Sequence, residues 1–132
     1  MTKKKSSGSF LHIALVVLVL DRLTKYIFAE HSIQNTGTLF GMGSNNLVWL
    51  GVSVAILAGI WRYRKSMMKN KWCERMLALV VGGAAGNILD RILYGGVIDF
   101  INLHFWPVFN IADAAITVGV IGLIWDEFRK KH

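Results

Sequence analysis

The chain has 132 residues, of which 54% are hydrophobic and 17% charged, and its formal net charge is +7. This apolar fraction exceeds that of ordinary water-soluble domains and indicates one domain, residues 1–132, embedded in a bilayer. The positive charge alone would also fit a nucleic-acid-binding protein, and the positions of the basic residues decide between the two classes.

Four apolar stretches predict transmembrane helices over about residues 10–29, 47–61, 76–94 and 111–128. A helix needs about 20 apolar residues to cross the hydrocarbon layer, and the second stretch is the shortest of the four. We therefore expect an all-α membrane protein with four transmembrane helices.

Most of the lysines and arginines lie outside these stretches, in residues 3–5, 62–75 and 129–131. The connectors 29–46 and 95–109 carry none. By the positive-inside rule, both termini and the middle loop are cytoplasmic and the two connectors lie outside. The basic residues are thus interpreted as orientation signals at a lipid surface, and no nucleic-acid partner is expected.

Three basic residues, Arg22, Lys25 and Arg91, fall inside predicted spans, each close to an aspartate, Asp21 or Asp90. Ionisable residues within a membrane face the bundle interior or water and are functional candidates. Asp21 and Lys25 are four residues apart, so they share a helix face and can pair. A purely structural ion pair and a role beside a reaction centre are both open here.

The third stretch carries small residues at Gly82, Gly83 and Gly86, which allow another helix to approach closely. Asn87 and Arg91 follow on one helix face, and polar groups at this depth need partners inside the protein. A helix-packing face and a functional polar cluster therefore lie on the same predicted helix.

Two aspartates flank the second outer connector. Asp99 stands in an apolar segment without a nearby cation, which predicts a raised pKa, and Asp113 stands at the head of the fourth stretch. Asn110 could be the N-cap of that helix with Asp113 at the third position, a variant of the capping box that would need no chemistry. His104 and Cys73, each without companion ligands, do not indicate a metal site.

The short connector places Asp99 and Asp113 in the same outer layer. Two carboxylates held close together tend to share one proton. One can then act as general base on a water while the other polarises the scissile carbonyl, as in aspartic proteases. Capping and catalysis are competing explanations of Asp113.

Five segments, in order, resemble the motifs of the lipoprotein signal peptidase (signal peptidase II) family. They are "DRLTK" (21–25), "NTGTLFG" (35–41), "GGAAGNILDR" (82–91), "GGVIDF" (95–100) and "FNIAD" (109–113). The resemblance implies that Asp99 and Asp113 are the catalytic dyad. It implies supporting or substrate-binding positions at Asn35, Asn87, Arg91, Asn110, Asp21, Lys25, Asp90 and Gly83.

The same resemblance implies the reaction. The family removes signal peptides from prolipoproteins on the outer side of the bacterial cytoplasmic membrane, cutting before a cysteine that carries diacylglycerol. It uses neither a metal nor an organic cofactor, and globomycin inhibits it. The expected partners are diacylglyceryl-modified prolipoproteins and membrane lipids, and a monomer is expected.

This chain departs from the family in length. Only 13 residues separate Asp21 from Asn35, where the family has a longer outer segment that contributes to a small β-sheet cradle. We therefore expect small β elements outside the membrane that are shorter than usual for the family.

Two alternatives remain at this stage. A small four-helix transporter could use intramembrane carboxylates as proton sites, although such a protein would carry them in mid-span. A pseudoenzyme could bind lipidated precursors without cutting them.

Overall fold

The computed structural model describes residues 8–37 and 45–131, and its elements are mostly helical. In chain order they are α1 (Gly8–Ile27), a 3-10 helix (Ala29–His31), β1 (Ile33–Asn35), α2 (Asn46–Met67), α3 (Lys71–Tyr94), β2 (Val97–Asp99) and α4 (Ile111–Lys131). The four helices correspond to the four apolar stretches of the sequence. The end of the second outer motif, which includes Phe40, lies outside the described residues.

Two helices extend beyond the apolar stretches that predicted them. α2 continues through the basic residues at 62–65, because lysine and arginine are good helix formers whose long side chains reach past an apolar boundary. α3 begins at Lys71 because the Asn70 side chain caps it and accepts a hydrogen bond from Cys73 N at 2.8 Å. Hydropathy alone locates neither helix end, since charged residues occupy both.

α3 lies at the centre of the bundle and packs against the other three helices. α2 packs mainly on α3 and has no fully buried residue, but Ile60 and Met67 are half-buried against the core cluster. Among the described residues, α2 and α3 are long and apolar enough to cross a membrane by length and composition. α1 and α4 carry charged residues near their ends, and a span for each of them stays a prediction.

A small antiparallel sheet lies at one end of the bundle. β1 pairs with β2 so that Ile33 stands opposite Asp99 and Asn35 opposite Val97. An isolated bridge between Ile101 and Phe109 closes the connector that leads into α4. The expected small β elements are therefore present. They hold the segment that ends at Asp99 against residues 33–35 of the first outer connector.

The predicted small-residue face of α3 is confirmed as a packing surface. A Cβ on Gly82 would lie 2.7 Å from Ala14 O of α1, and one on Gly83 would lie 2.5 Å from Ala112 O of α4. α4 also contributes a glycine to this contact, since a Cβ on Gly119 would lie 2.5 Å from Met76 O of α3. Glycine thus brings α1 and α4 against α3 with backbone nearly touching backbone.

The opposite end of the bundle carries the basic residues. The Trp72 indole N–H donates to Gly122 O at 2.8 Å, which ties the start of α3 to the end of α4. The buried Asp126 pairs there with Lys130 at 3.0 Å and with Arg129 at 2.9 Å. The start of α3 and the end of α4 therefore share one end, as the charge pattern predicted.

Gly83 gives a test of this packing. We expect Gly83→Ala to lower the free energy of unfolding by about 1–3 kcal/mol, because the added methyl group meets a backbone carbonyl that cannot move aside. Thermal unfolding in detergent micelles measures the loss. The control is Gly59→Ala in α2, where nothing lies within 4 Å of the added group. Equal stability of the two variants would contradict the packing argument.

Candidate active site

Two secondary-structure elements bring Asp99 and Asp113 to the same end of the bundle. Asp99 is the last residue of β2 and is 1% exposed, and Asp113 is the third residue of α4 and half-buried. Both side chains contact the buried Asn110, which immediately precedes α4. The structure therefore joins the two carboxylates through one asparagine, by its side chain to Asp99 and by its backbone N–H to Asp113.

Asn110 holds each carboxylate by a different contact. Its Nδ2 donates to Asp99 Oδ1 at 3.0 Å, and its backbone N–H donates to Asp113 Oδ2 at 3.3 Å. Its Oδ1 accepts from Asp113 N at 2.8 Å. The predicted capping box is thus confirmed. It holds the Asp113 carboxylate in position and leaves its second oxygen for other contacts.

The second oxygen of Asp113 faces α3. Asn87 Nδ2 donates to Asp113 Oδ1 at 2.9 Å, while Asn87 Oδ1 accepts from Lys25 Nζ at 3.3 Å. An ammonium group can only donate, so Lys25 requires that Asn87 present its oxygen and leaves the amide N–H groups for Asp113. A buried cation on α1 thereby sets the orientation of an amide that holds a carboxylate on α4.

Asp99 has its own pair of amide donors. In addition to Asn110, Asn35 Nδ2 lies 3.3 Å from Asp99 Oδ2, and Gly37 N donates to Asn35 Oδ1 at 2.9 Å. Burial and then the nearby charge of Asp113 raise the pKa of Asp99 to about 7 from its ordinary 3.8. A carboxyl group that titrates near neutral pH beside a second carboxylate can both donate and accept a proton in a reaction.

Four charged side chains form a buried network beneath this site. Lys25 Nζ lies 2.8 Å from Asp21 Oδ2, as the spacing predicted, and 2.6 Å from Asp90 Oδ2. Arg22 contacts both aspartates and donates to Gly86 O at 3.0 Å. Two carboxylates and two cations balance, which is the condition for keeping charges away from water.

The network also contacts the elements that carry the two site aspartates. Asp21 Oδ1 accepts from Ala112 N at 3.0 Å, so it binds a free amide in the first turn of α4. Asp90 Oδ2 accepts from Ile98 N at 3.0 Å and so holds β2. The ion network therefore holds the backbone amide that precedes each residue of the candidate dyad.

Arg91 does not belong to the ion network that contains its sequence neighbour Asp90. It makes no ion pair with Asp90 in the described residues, and its guanidinium donates to Thr36 O at 3.2 Å and also to Gly37 O. Asn46, which the sequence analysis did not identify, accepts from Arg91 Nη1 at 3.1 Å and returns a bond to Arg91 O at 3.1 Å. Arg91 thus joins residues 36 and 37 of the first outer connector to the start of α2.

Three other residues from the sequence analysis lie apart from the two carboxylates. Gly83 serves the contact between α3 and α4 described above. His104 is exposed on the outer connector, with φ at 69° and its N–H on Asn102 Oδ1. Cys73 lies at the far end of the bundle, where its Sγ is 3.2 Å from Asp126 Oδ2.

Known proteins match almost the whole chain. The family model described as "Signal peptidase (SPase) II" matches residues 13–129. The lipoprotein signal peptidase of Polynucleobacter necessarius is 39% identical, with 97% of this chain and 94% of that protein covered. The lipoprotein signal peptidase of Moorella thermoacetica is 37% identical over 88% of this chain and 90% of its own length.

Two solved structures of bacterial membrane enzymes, both determined by the in meso method, share the fold. One superimposes with a TM-score of 0.87 at 30% identity and covers 99% of this chain and 94% of its own. The other has a TM-score of 0.80 at 32% identity and covers 96% of each chain.

Asp99 gives a pH-dependent prediction. Because its folded pKa of about 7 lies above its ordinary value, the folded state binds the extra proton and loses stability as pH rises between the two values. Asp99→Asn removes this penalty. We expect the stability of the variant relative to wild type to improve by on the order of 3 kcal/mol from about pH 4 to about pH 8.

Thermal unfolding across that pH range measures the difference. Glu30→Gln, which removes an exposed carboxylate from the 3-10 helix, controls for the loss of one negative charge. A constant difference between Asp99→Asn and wild type would contradict the raised pKa.

Lys25 gives a second prediction about stability. Lys25→Met keeps an unbranched side chain that is one atom shorter, but it leaves Asp21 and Asp90 buried without their shared ammonium group. We expect a loss of about 3–5 kcal/mol in the free energy of unfolding. The matched control is Lys69→Met, whose ion pair with Glu127 is exposed and should matter little. Similar losses in the free energy of unfolding of both variants would show that burial does not determine how much the ion network contributes to stability.

Proposed function

Because this chain belongs to the signal peptidase II family, we propose that it is an aspartic endopeptidase that cuts prolipoproteins before the diacylglyceryl-modified cysteine. The observation that carries the proposal is the contact of Asp99 and Asp113 with the same buried asparagine, Asn110. A water between the two carboxyl groups attacks the scissile carbonyl. The reaction uses no metal and no organic cofactor.

The two carboxyl groups divide the work. Asp99, with its pKa near 7, carries the shared proton and donates a hydrogen bond to the scissile carbonyl oxygen. Asp113 lies in the first turn of α4, where the helix dipole favours a negative charge, and takes a proton from the attacking water. Asp113 then passes this proton to the leaving amine. The dyad titrates as one unit, so its activity depends on pH on both sides of an optimum.

The asparagines act as positioning residues for the dyad. Asn110 and Asn87 fix the Asp113 carboxylate, and Asn35 and Asn110 fix that of Asp99. Lys25 acts one step further away, through the oxygen of Asn87. Fixed amide donors need no rearrangement as charge develops during the reaction, which lowers the barrier relative to water.

Arg91 and Asn46 serve the substrate side of the site. Their contacts fix the outer chain that follows Asn35, one of the residues touching Asp99. An unwound precursor segment at the dyad must pass beside this chain. We assign to the pair a role in shaping the entrance for the peptide.

The protein lies in the bacterial cytoplasmic membrane as a monomer with four spans. The basic residues at the far end of the bundle face the cytoplasm, by the positive-inside rule, and the dyad therefore faces outward. The substrate reaches the site laterally from the bilayer, because its signal helix and its acyl chains are both already in lipid.

Cleavage of a lipidated precursor tests the function. Purified protein in detergent should convert a diacylglyceryl-modified precursor to the smaller product on a gel, and globomycin should inhibit the conversion. Asp99→Asn and Asp113→Asn should each lower the rate by about 10²–10⁴-fold or more, because each removes a proton-transfer group. Asn at position 113 keeps an oxygen that can still accept from Asn110 N, so helix capping persists in this variant.

Asp126→Asn is the matched control, because Asp126 is as buried as Asp99 but lies at the far end of the bundle. The folded Asp126→Asn variant should cut the precursor at the wild-type rate. If the wild type binds the precursor and never cuts it, the protein is a binding pseudoenzyme. If either dyad variant cuts at the wild-type rate, the assignment of the dyad is wrong.

A further inference from the structure

An apolar pocket of about 290 Å³ adjoins Asp113 between the outer connector and α4. Leu103, Phe105 and Trp106 of the outer connector form one wall, and Val118 of α4 lies in the other. Asp113 is the one charged side chain in the lining that the described residues provide. The candidate site therefore opens directly into an apolar space.

The outer wall of this pocket is built for an apolar environment. Phe105 is 84% exposed, and Leu103 and Trp106 are also exposed beside it on the connector. Exposing three such side chains together to water is unfavourable, whereas the same residues are at home in the outer interface of a bilayer. The pocket thus lies where a lipid chain would pass.

The pocket also continues along the helix. Val118, Ile121 and Trp125 are exposed and spaced three and four residues apart, so they form one apolar stripe running from the pocket towards the far end of α4. A closed pocket for a single peptide side chain would have no such extension. A flexible hydrocarbon chain, by contrast, needs a continuous apolar track along the membrane normal.

We propose that this pocket, between the outer connector and α4, binds an acyl chain of the diacylglyceryl group on the substrate cysteine. The inference rests on the proposed function. The thioether of that cysteine lies within a residue of the scissile bond, so its acyl chains begin close to Asp113. The pocket is the apolar surface next to that residue, and contact with it would make cleavage depend on the length of the acyl chain.

Val118→Trp tests the proposal by filling the pocket. Cleavage is compared for precursors that differ only in the lipid, dihexanoyl against dipalmitoyl glycerol. The wild type should prefer the long chains. In Val118→Trp, the ratio of kcat/KM for long over short chains should fall about tenfold or more, chiefly through KM, because several methylene groups lose their contacts.

Val120→Trp is the control, since Val120 is exposed on α4 but does not line the pocket, and it should keep the wild-type ratio. If Val118→Trp does not fold, Leu103→Asn, which makes the opposite wall polar, should reduce the ratio in the same direction.

Other results would overturn the proposal. An equal loss on both lipids in Val118→Trp would mean that the pocket binds part of the peptide. An unchanged ratio would mean that bulk phospholipid, or nothing, occupies it. A wild type that cuts neither precursor would instead refute the proposed function, so the two failures are distinguishable.

Discussion

The rest of the structure depends on one buried ammonium group. Lys25 is 4% exposed and pairs with both Asp21 and Asp90, so that, together with Arg22, it gives two buried carboxyl groups their cationic partners. Because the two aspartates in turn bind backbone amides of α4 and β2, the network around Lys25 also holds the first turn of α4 and the middle of β2. An electrostatic requirement of the interior thus becomes the geometry of the outer end.

The same requirement explains why amides surround the two site carboxylates. Under the proposed mechanism, a cation in direct contact with Asp99 and Asp113 would favour the ionised form of both carboxyl groups and so oppose the proton that they are proposed to share. Asparagine donors orient a carboxylate without supplying a full charge. Among the described contacts, Lys25 reaches the site only through Asn87 and touches neither site carboxylate. It therefore orients the Asn87 amide, while its charge is paired with Asp21 and Asp90.

Contacts within one helical turn were predictable from the sequence, and contacts between distant segments were not. The Asp21–Lys25 pair and the Asn110–Asp113 cap follow from helical spacing, and both are confirmed. The bond from Ala112 N to Asp21 joins residues 91 positions apart, and no periodicity indicates it. The same holds for Asn46, whose link to Arg91 has no signal in either local pattern. Motif resemblance named Asn35, Asn87, Asp99, Asn110 and Asp113, which the structure brings together, but it carried no information about which amide faces which oxygen.

Arg91 has a consequence for how the outer surface can vary. It holds residues 36 and 37 and, through Asn46, the start of α2, so both ends of the intervening segment are anchored at the top of α3. Once the two ends of a chain segment are fixed, doubling the number of residues between them costs only about 0.6 kcal/mol in loop-closure entropy. Insertions or deletions between these anchors would therefore leave Asn35 and Asp99 in place. The segment between the two anchors can therefore change in length while the contacts among Asn35, Asp99 and Asn110 stay where they are.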